Sequence, residues 1–190
     1  VGLSFDFLVY SREGRVDLQR PAALAGAEAI VRRLYPRSTY VHRQTGRLLD
    51  VCRQPRGFLA VGAFDDGVLI ATKDAHLYAP DILHRRYLKL GEWTDVQLIT
   101  SASVNNMFAY GRWRSGEITR SISVNAVAGV WRNFGSPSAF EDGMQVTPES
   151  WLELCNAALM STLRLAGDGA VTHASSVDWD DVYLHVFGRA

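Results

Sequence analysis

The sequence predicts an α+β fold, a mostly antiparallel or mixed β-sheet built from hairpins with about three helices packed on it, in a single domain over residues 1–190. Three observations carry that expectation. Short apolar runs are joined repeatedly by X-Gly turns. Three helical stretches are interspersed among them. Strands and helices do not alternate in the regular way that a doubly wound parallel sheet requires.

Leu3 to Tyr10 reads as an apolar strand, followed by a tight turn at Glu13-Gly14 and a second short strand around Val16–Leu18. Pro21 then opens a helix, because Leu24, Ala27, Val31, Leu34 and Tyr35 recur at helical spacing while Glu28, Arg32 and Arg33 fall off that stripe. Pro36 ends it. Two hairpins are expected next. Thr39–His42 and Arg47–Val51 flank Thr45-Gly46, and Gly57–Val61 and Val68–Ala71 flank Asp66-Gly67. Glycine reaches positive φ without steric cost, which suits a short hairpin turn. A shorter helix is expected over Pro80–Leu90, with Ile82, Leu83 and Tyr87 facing inward.

The clearest hairpin is Met107–Trp113, Ser115-Gly116, Ile118–Val124. Folded about Ser115-Gly116, it pairs Arg114 with Glu117, Trp113 with Ile118 and Ala109 with Ile122. One face then collects Met107, Ala109, Gly111, Trp113, Ile118, Ile122 and Val124, with Arg120 as the exception. The other face carries Phe108, Tyr110, Arg112, Thr119, Ser121 and Ser123. Gly135–Gly143 reads as a long loop. Thr147 and Pro148 open a last helix, whose stripe is Trp151, Leu154, Cys155, Ala158, Leu159 and Leu163, and Gly167 is its natural stop. The run Asp181–Phe187 is apolar on both faces and belongs inside a sheet. Local pairing of this kind places the helices on one face.

A chain of 190 residues can bury about two-thirds of its unfolded surface without staples. Apolar content of 47% with 21% charged residues argues against disorder, and no stretch approaches the roughly 20 apolar residues that span a bilayer. Asp6 interrupts the apolar start and no basic segment precedes it, so no secretory leader is expected. Cys52 and Cys155 stand far apart in sequence, and such sparse usage fits a reducing, cytoplasmic compartment.

Net charge is zero but unevenly spread. Residues 1–60 hold ten Arg against five acids (+5), residues 61–140 eight bases against seven acids (+1), and residues 141–190 two Arg against eight acids (−6). The two ends are expected to compensate one another, or to mark a partner face. All the basic residues but Lys73 and Lys89 are Arg, as a GC-rich genome or phosphate and carboxylate recognition would each produce.

Several segments are similar to those of a known group. Ile30–Pro36, Gly46–Asp50, Phe108-Ala109-Tyr110, Ser121-Ile122-Ser123, the spacing from Gly129 to Asn133–Pro137, and Asp180–Phe187 together resemble a family of uncharacterised actinobacterial proteins, a domain of unknown function. The resemblance runs over most of the chain. It implies a His and an acidic residue just before the Phe-Ala-Tyr strand, where this chain has Ala102 and Asn106; a shared site built on those residues would be missing here. The resemblance implies no activity.

Candidate chemistry is sparse. The His residues form no H-x-x-x-H pair and the cysteines no C-x-x-C. The best candidate metal group is His173, Asp178, Asp180, Asp181 and His185 at the entrance to the last strand. The best candidate catalytic trio is His42, Asp50 and Cys52, brought together by the expected hairpin. No G-x-S-x-G elbow, phosphate loop or dinucleotide fingerprint occurs, and no cofactor is implied. Neutral overall charge argues against nucleic acid. Phe108, Tyr110 and Arg112 form a polar-aromatic face suited to a protein interface. The expectation is therefore a cytosolic, non-catalytic accessory or binding protein acting through a protein interface, with a homodimer or a protein partner and no membrane. The alternative is a small-molecule hydrolase whose His, Asp and Cys residues converge only in the fold.

Overall fold

The structure is a computed structural model that describes residues 3–19, 23–73, 78–170 and 176–190. Its nine strands are β1 (Ser4–Ser11), β2 (Tyr40–Arg47), β3 (Phe58–Ala63), β4 (Gly67–Thr72), β5 (Asp95–Ala102), β6 (Met107–Arg114), β7 (Glu117–Asn125), β8 (Gly129–Gly135) and β9 (Tyr183–Arg189). Its helices are α1 (Leu24–Leu34), the single turn α2 (Leu48–Val51) and α3 (Trp151–Leu163). The strands form one sheet in the order β2-β9-β3-β4-β1-β5-β6-β7-β8, and every neighbouring pair is antiparallel. The fold is thus α+β, with strands dominant.

The central strands explain the layering. Residues of β1, β4 and β5 are buried on both sides of the sheet, so both faces need cover. On one face Leu8, Tyr10, Val61, Ile70, Leu98 and Trp113 pack with Ala27, Ile30, Val31 and Leu34 of α1. On the other, Phe5, Phe7, Val9, Ile99, Phe108, Tyr110 and Ile122 pack with Leu154, Cys155, Ala158, Leu159 and Leu163 of α3. This corrects the expectation of helices on one face. Each large apolar side chain fully buried in these layers stabilises the fold by about 1.5–3 kcal/mol.

The Asp66-Gly67 hairpin forms as β3–β4, and β9 lies inside the sheet between β2 and β3. The first expected hairpin does not form. Tyr40–Arg47 is one continuous strand whose partner is β9, about 140 residues further on, and Leu48–Val51 coils into α2 with Leu48 and Val51 buried. Gly46 is there for packing and not for turning, since a Cβ would sit 2.6 Å from Cγ1 of Val51. Val16–Leu18 is a loop whose Val16 and Leu18 side chains are buried and whose Val16 N–H donates to the carbonyl of Thr162 at 3.0 Å. Pro80–Leu90 holds two short 3₁₀ turns instead of a helix; Leu83 and Tyr87 are buried and Ile82 is exposed. Helix α3 begins at Trp151 with Ser150 before it, later than Thr147-Pro148 predicts, and it stops when Arg164 turns left-handed.

In β6–β7 the turn at Ser115-Gly116 has positive φ at both residues, as a type I′ turn demands. Arg114 pairs with Glu117 and Trp113 with Ile118 as expected. A bulge between Arg112 and Trp113 then shifts the register by one, so Tyr110 faces Ile122 and Ala109 faces Ser123. One inserted residue moves the remainder of β7 to the opposite faces. Ile122 and Val124 therefore join Phe108 and Tyr110 beneath α3, while Ala109 and Trp113 face the α1 layer.

Candidate functional site

The expected catalytic trio does not assemble. The Cys52 thiol is buried and donates towards the carbonyls of Ser4 (3.5 Å) and Leu49 (3.4 Å), and burial pushes its pKa up to about 11, the wrong direction for a nucleophile. Asp50 is exposed and accepts from Nε of Arg47 at 2.8 Å. His42 lies on the edge strand β2, where its ring faces Thr45, His185 and Phe187.

The described members of the expected metal group also disperse. Asp178, Asp180 and Asp181 are exposed. Oδ1 of Asp178 accepts from the Asp180 N–H at 2.9 Å, as in a loop that closes on itself, and Asp180 pairs with Arg47 at 3.0 Å. His185 lies across from β2, with Nδ1 2.9 Å from Oγ1 of Thr45 and its ring 5.5 Å from that of His42. His173 lies outside the described residues. Two histidines thus meet, one from each candidate group, but among the described residues no three His, Cys, Asp or Glu side chains gather to hold a metal ion.

Phe108 and Tyr110, expected on an interface, are fully buried in the chain's own core. The bulge in β7, which brings Ile122 and Val124 onto their face, and the cover of α3 are the reason: that face carries one of the two cores. Arg112 lies at the border, its side chain 17% exposed, with Nε 3.0 Å and Nη2 2.5 Å from Oδ2 of Asp95.

Around these three residues the structure builds a polar network that the sequence pattern does not announce. Tyr110 Oη donates to Oε1 of Gln97 at 3.0 Å and lies 3.2 Å from Oγ of Ser138. Thr162 Oγ1 donates to the same Gln97 oxygen, and Nε2 of Gln97 donates to the carbonyl of Gly14. Arg120 forms a bidentate pair with Glu141, Nε at 2.9 Å from Oε1 and Nη2 at 2.5 Å from Oε2, with both side chains 5% exposed. The remaining Arg120 Nη1 donates to the carbonyl of Phe134, and Glu141 accepts the Ser138 N–H. Every charge in this pair is met, as burial requires. Burial pushes the Tyr110 phenol up to about 12 despite its bond to Ser138. The signal for Arg120 was its place as the one charged residue on a supposedly apolar face.

The two ends of the sheet differ sharply. Edge strand β2 carries His42, Arg43 and Arg47 on a largely exposed surface, the charged protection typical of an edge. Edge strand β8 instead exposes Val130, Trp131 and Phe134 at 38%, 37% and 43%, and its one charge, Arg132, is neutralised by Asp81 at 2.7 Å. Val127 and Val104, in the adjoining loops, are exposed further still.

Fold and site together define an α+β protein with a broad antiparallel sheet, a structural polar network at one end and an apolar open edge, without an assembled catalytic group among the residues the sequence singles out. The chain belongs to the family of unknown function DUF6928, whose model matches residues 8–187 of the 190. No curated protein and no solved structure matches it. Among the described residues no helix is long and apolar enough to cross a membrane.

Proposed function

We propose that the protein is a non-catalytic binding protein of a reducing, cytoplasmic compartment, and that it acts through a protein interface at β8, where a second copy of the chain pairs edge to edge. The observation that carries this reading is the contrast between the two edges: β2 is guarded by charge, and β8 presents Val130, Trp131 and Phe134 along an outermost strand. A strand of seven residues offers about 24 Å of hydrogen-bonding edge at the usual rise. A second copy is the fitting occupant because two-fold pairing is the commonest closed assembly and zero net charge leaves no long-range repulsion between copies. The scattering of His42, Asp50 and Cys52 supports the non-catalytic part, and two buried free cysteines suit a reducing compartment.

Sedimentation velocity over a concentration series tests it. The wild type is expected to dimerise, and Trp131→Lys combined with Phe134→Glu to be monomeric with an unchanged circular dichroism spectrum. A wild type that stays monomeric throughout the series refutes the reading.

A further inference from the structure

At the end of the sheet where β1 leaves and β6 turns, guanidinium groups from distant parts of the chain line a concave surface. Arg15, from the loop after β1, and Arg112 and Arg114, from β6, border an open pocket of about 420 Å³ together with Glu13, Tyr110 and Phe140. A second pocket of about 240 Å³ shares Glu13, Arg112 and Arg114 and adds Arg12. The first volume falls in the range of small-molecule sites.

The floor is prepared and not improvised. Gln97, Tyr110, Thr162 and Ser138 satisfy one another beneath the pocket, so the walls hold their shape without a ligand. Asp95, only 7% exposed, takes Nε and Nη2 of Arg112 and lies 3.6 Å from Nε of Arg114, which orients the first guanidinium and tethers the second. Gly14 brings the β1 loop against this pair. Its φ is +82°, and a Cβ there would sit 2.7 Å from Nη2 of Arg112. Phe140 meets Tyr110 edge-on at 4.8 Å and gives the pocket an apolar wall.

Charge decides the ligand. Four Arg (Arg12, Arg15, Arg112 and Arg114) face two carboxylates (Glu13 and Asp95), a surplus of two positive charges. Among the described residues no ion pair forms with Arg12 or Arg15; Arg12 lies instead over the ring of Trp93 at 5.5 Å. Guanidinium forks bind phosphate and carboxylate oxygens in pairs. We propose that this pocket binds a small organic oxyanion carrying a phosphate or two carboxylates, held by Arg15, Arg112 and Arg114 with its apolar part against Phe140.

Isothermal titration with phenyl phosphate, pyrophosphate and phthalate tests the proposal on the whole chain. At least one probe is expected to bind, with affinity weakened more than about tenfold in Arg15→Ala/Arg114→Ala, the loss of roughly 1.4 kcal/mol or more. Both residues are exposed, so the variant is expected to fold. Arg37→Ala, an exposed arginine that lines neither pocket, serves as the control. Phenyl phosphate stronger than pyrophosphate points to the Phe140 wall, and Phe140→Ser should abolish that preference. No heat with any probe, or an equal loss in Arg37→Ala, overturns the proposal.

Discussion

Asp6 gives the sharpest quantitative test of the fold. It sits in the middle of β1, 3% exposed, opposite Thr100 of β5 and on the sheet face that carries Leu8 and Tyr10. Burial raises its carboxyl pKa from the ordinary 3.8 to about 6, against the opposing pull of the Arg53 and Lys73 charges and of Thr100. The folded protein therefore holds this proton more tightly than the unfolded chain. Between pH 4 and pH 6 the unfolded chain loses its proton first, so stability falls as pH rises through that window and levels off above pH 7. A shift of about two units at 1.36 kcal/mol each amounts to about 3 kcal/mol. Asp6→Asn removes the titration while keeping the shape. Urea unfolding of both proteins at intervals from pH 4 to pH 8 should show the wild type losing about 2–3 kcal/mol relative to the variant, because part of the loss already lies below pH 4. Taking the difference cancels every other titrating group and any constant cost of the amide. A flat difference refutes the argument that burial dominates at Asp6, and a difference of opposite sign would mean that Arg53 and Lys73 hold the carboxylate charged.

Glu141→Gln leaves the Arg120 guanidinium buried without its counter-charge and weakens the acceptor of the Ser138 N–H. It is expected to cost about 3–5 kcal/mol in chemical denaturation, whereas Arg120→Met/Glu141→Leu should cost much less, because the desolvation of both charges is relieved together. Burial pushes the thiols of Cys52 and Cys155 up to about 11 and about 12. Neither is expected to react with a thiol reagent at pH 8 until the protein unfolds, when both should be titrated; prompt labelling of the native protein would contradict their burial.

What could be read from the sequence is what local chemistry decides. The hairpins about Asp66-Gly67 and Ser115-Gly116 each have their turn residues and partner strands within a few positions, and both form. The apolar run before Phe187 marks an interior strand, and β9 is one. The misreadings involve distance or a single inserted residue. Gly46 resembles a turn signal, but its purpose is set by Val51 and by a partner strand about 140 residues away, and no local pattern reveals that pairing. The bulge beside Arg112 is invisible to a strict alternation, and it is what turns Arg120 inward to Glu141 and places Phe108 and Tyr110 on the same layer as Ile122. The arginine pocket draws on the β1 loop, the start of β5, the end of β6, the turn at Ala139–Glu141 and the end of α3. Residues so dispersed carry no spacing for a motif to register, which is why the strand face points to Arg112 and nothing in the sequence points to Arg15.

The uneven charge along the chain bears on whether those arginines matter. If the basic start and acidic end only compensated one another, the arginines of the first sixty residues would find acids of the last fifty. Arg47 does, pairing with Asp180 where β2 meets β9. Among the described residues Arg12 and Arg15 pair with no acid of the last fifty: the two pockets they border with Arg112 and Arg114 hold Glu13 and Asp95, and Asp95 is already engaged by Arg112. Codon usage can raise the number of arginines in a protein, but it has no means of gathering four of them from two distant segments around a floor of satisfied buried groups. Surface repulsion would ordinarily drive such groups apart, since like charges at close range cost energy with nothing in return. Their convergence at the one end of the sheet where Gly14 lets the backbone approach Arg112 is the arrangement an anion would stabilise.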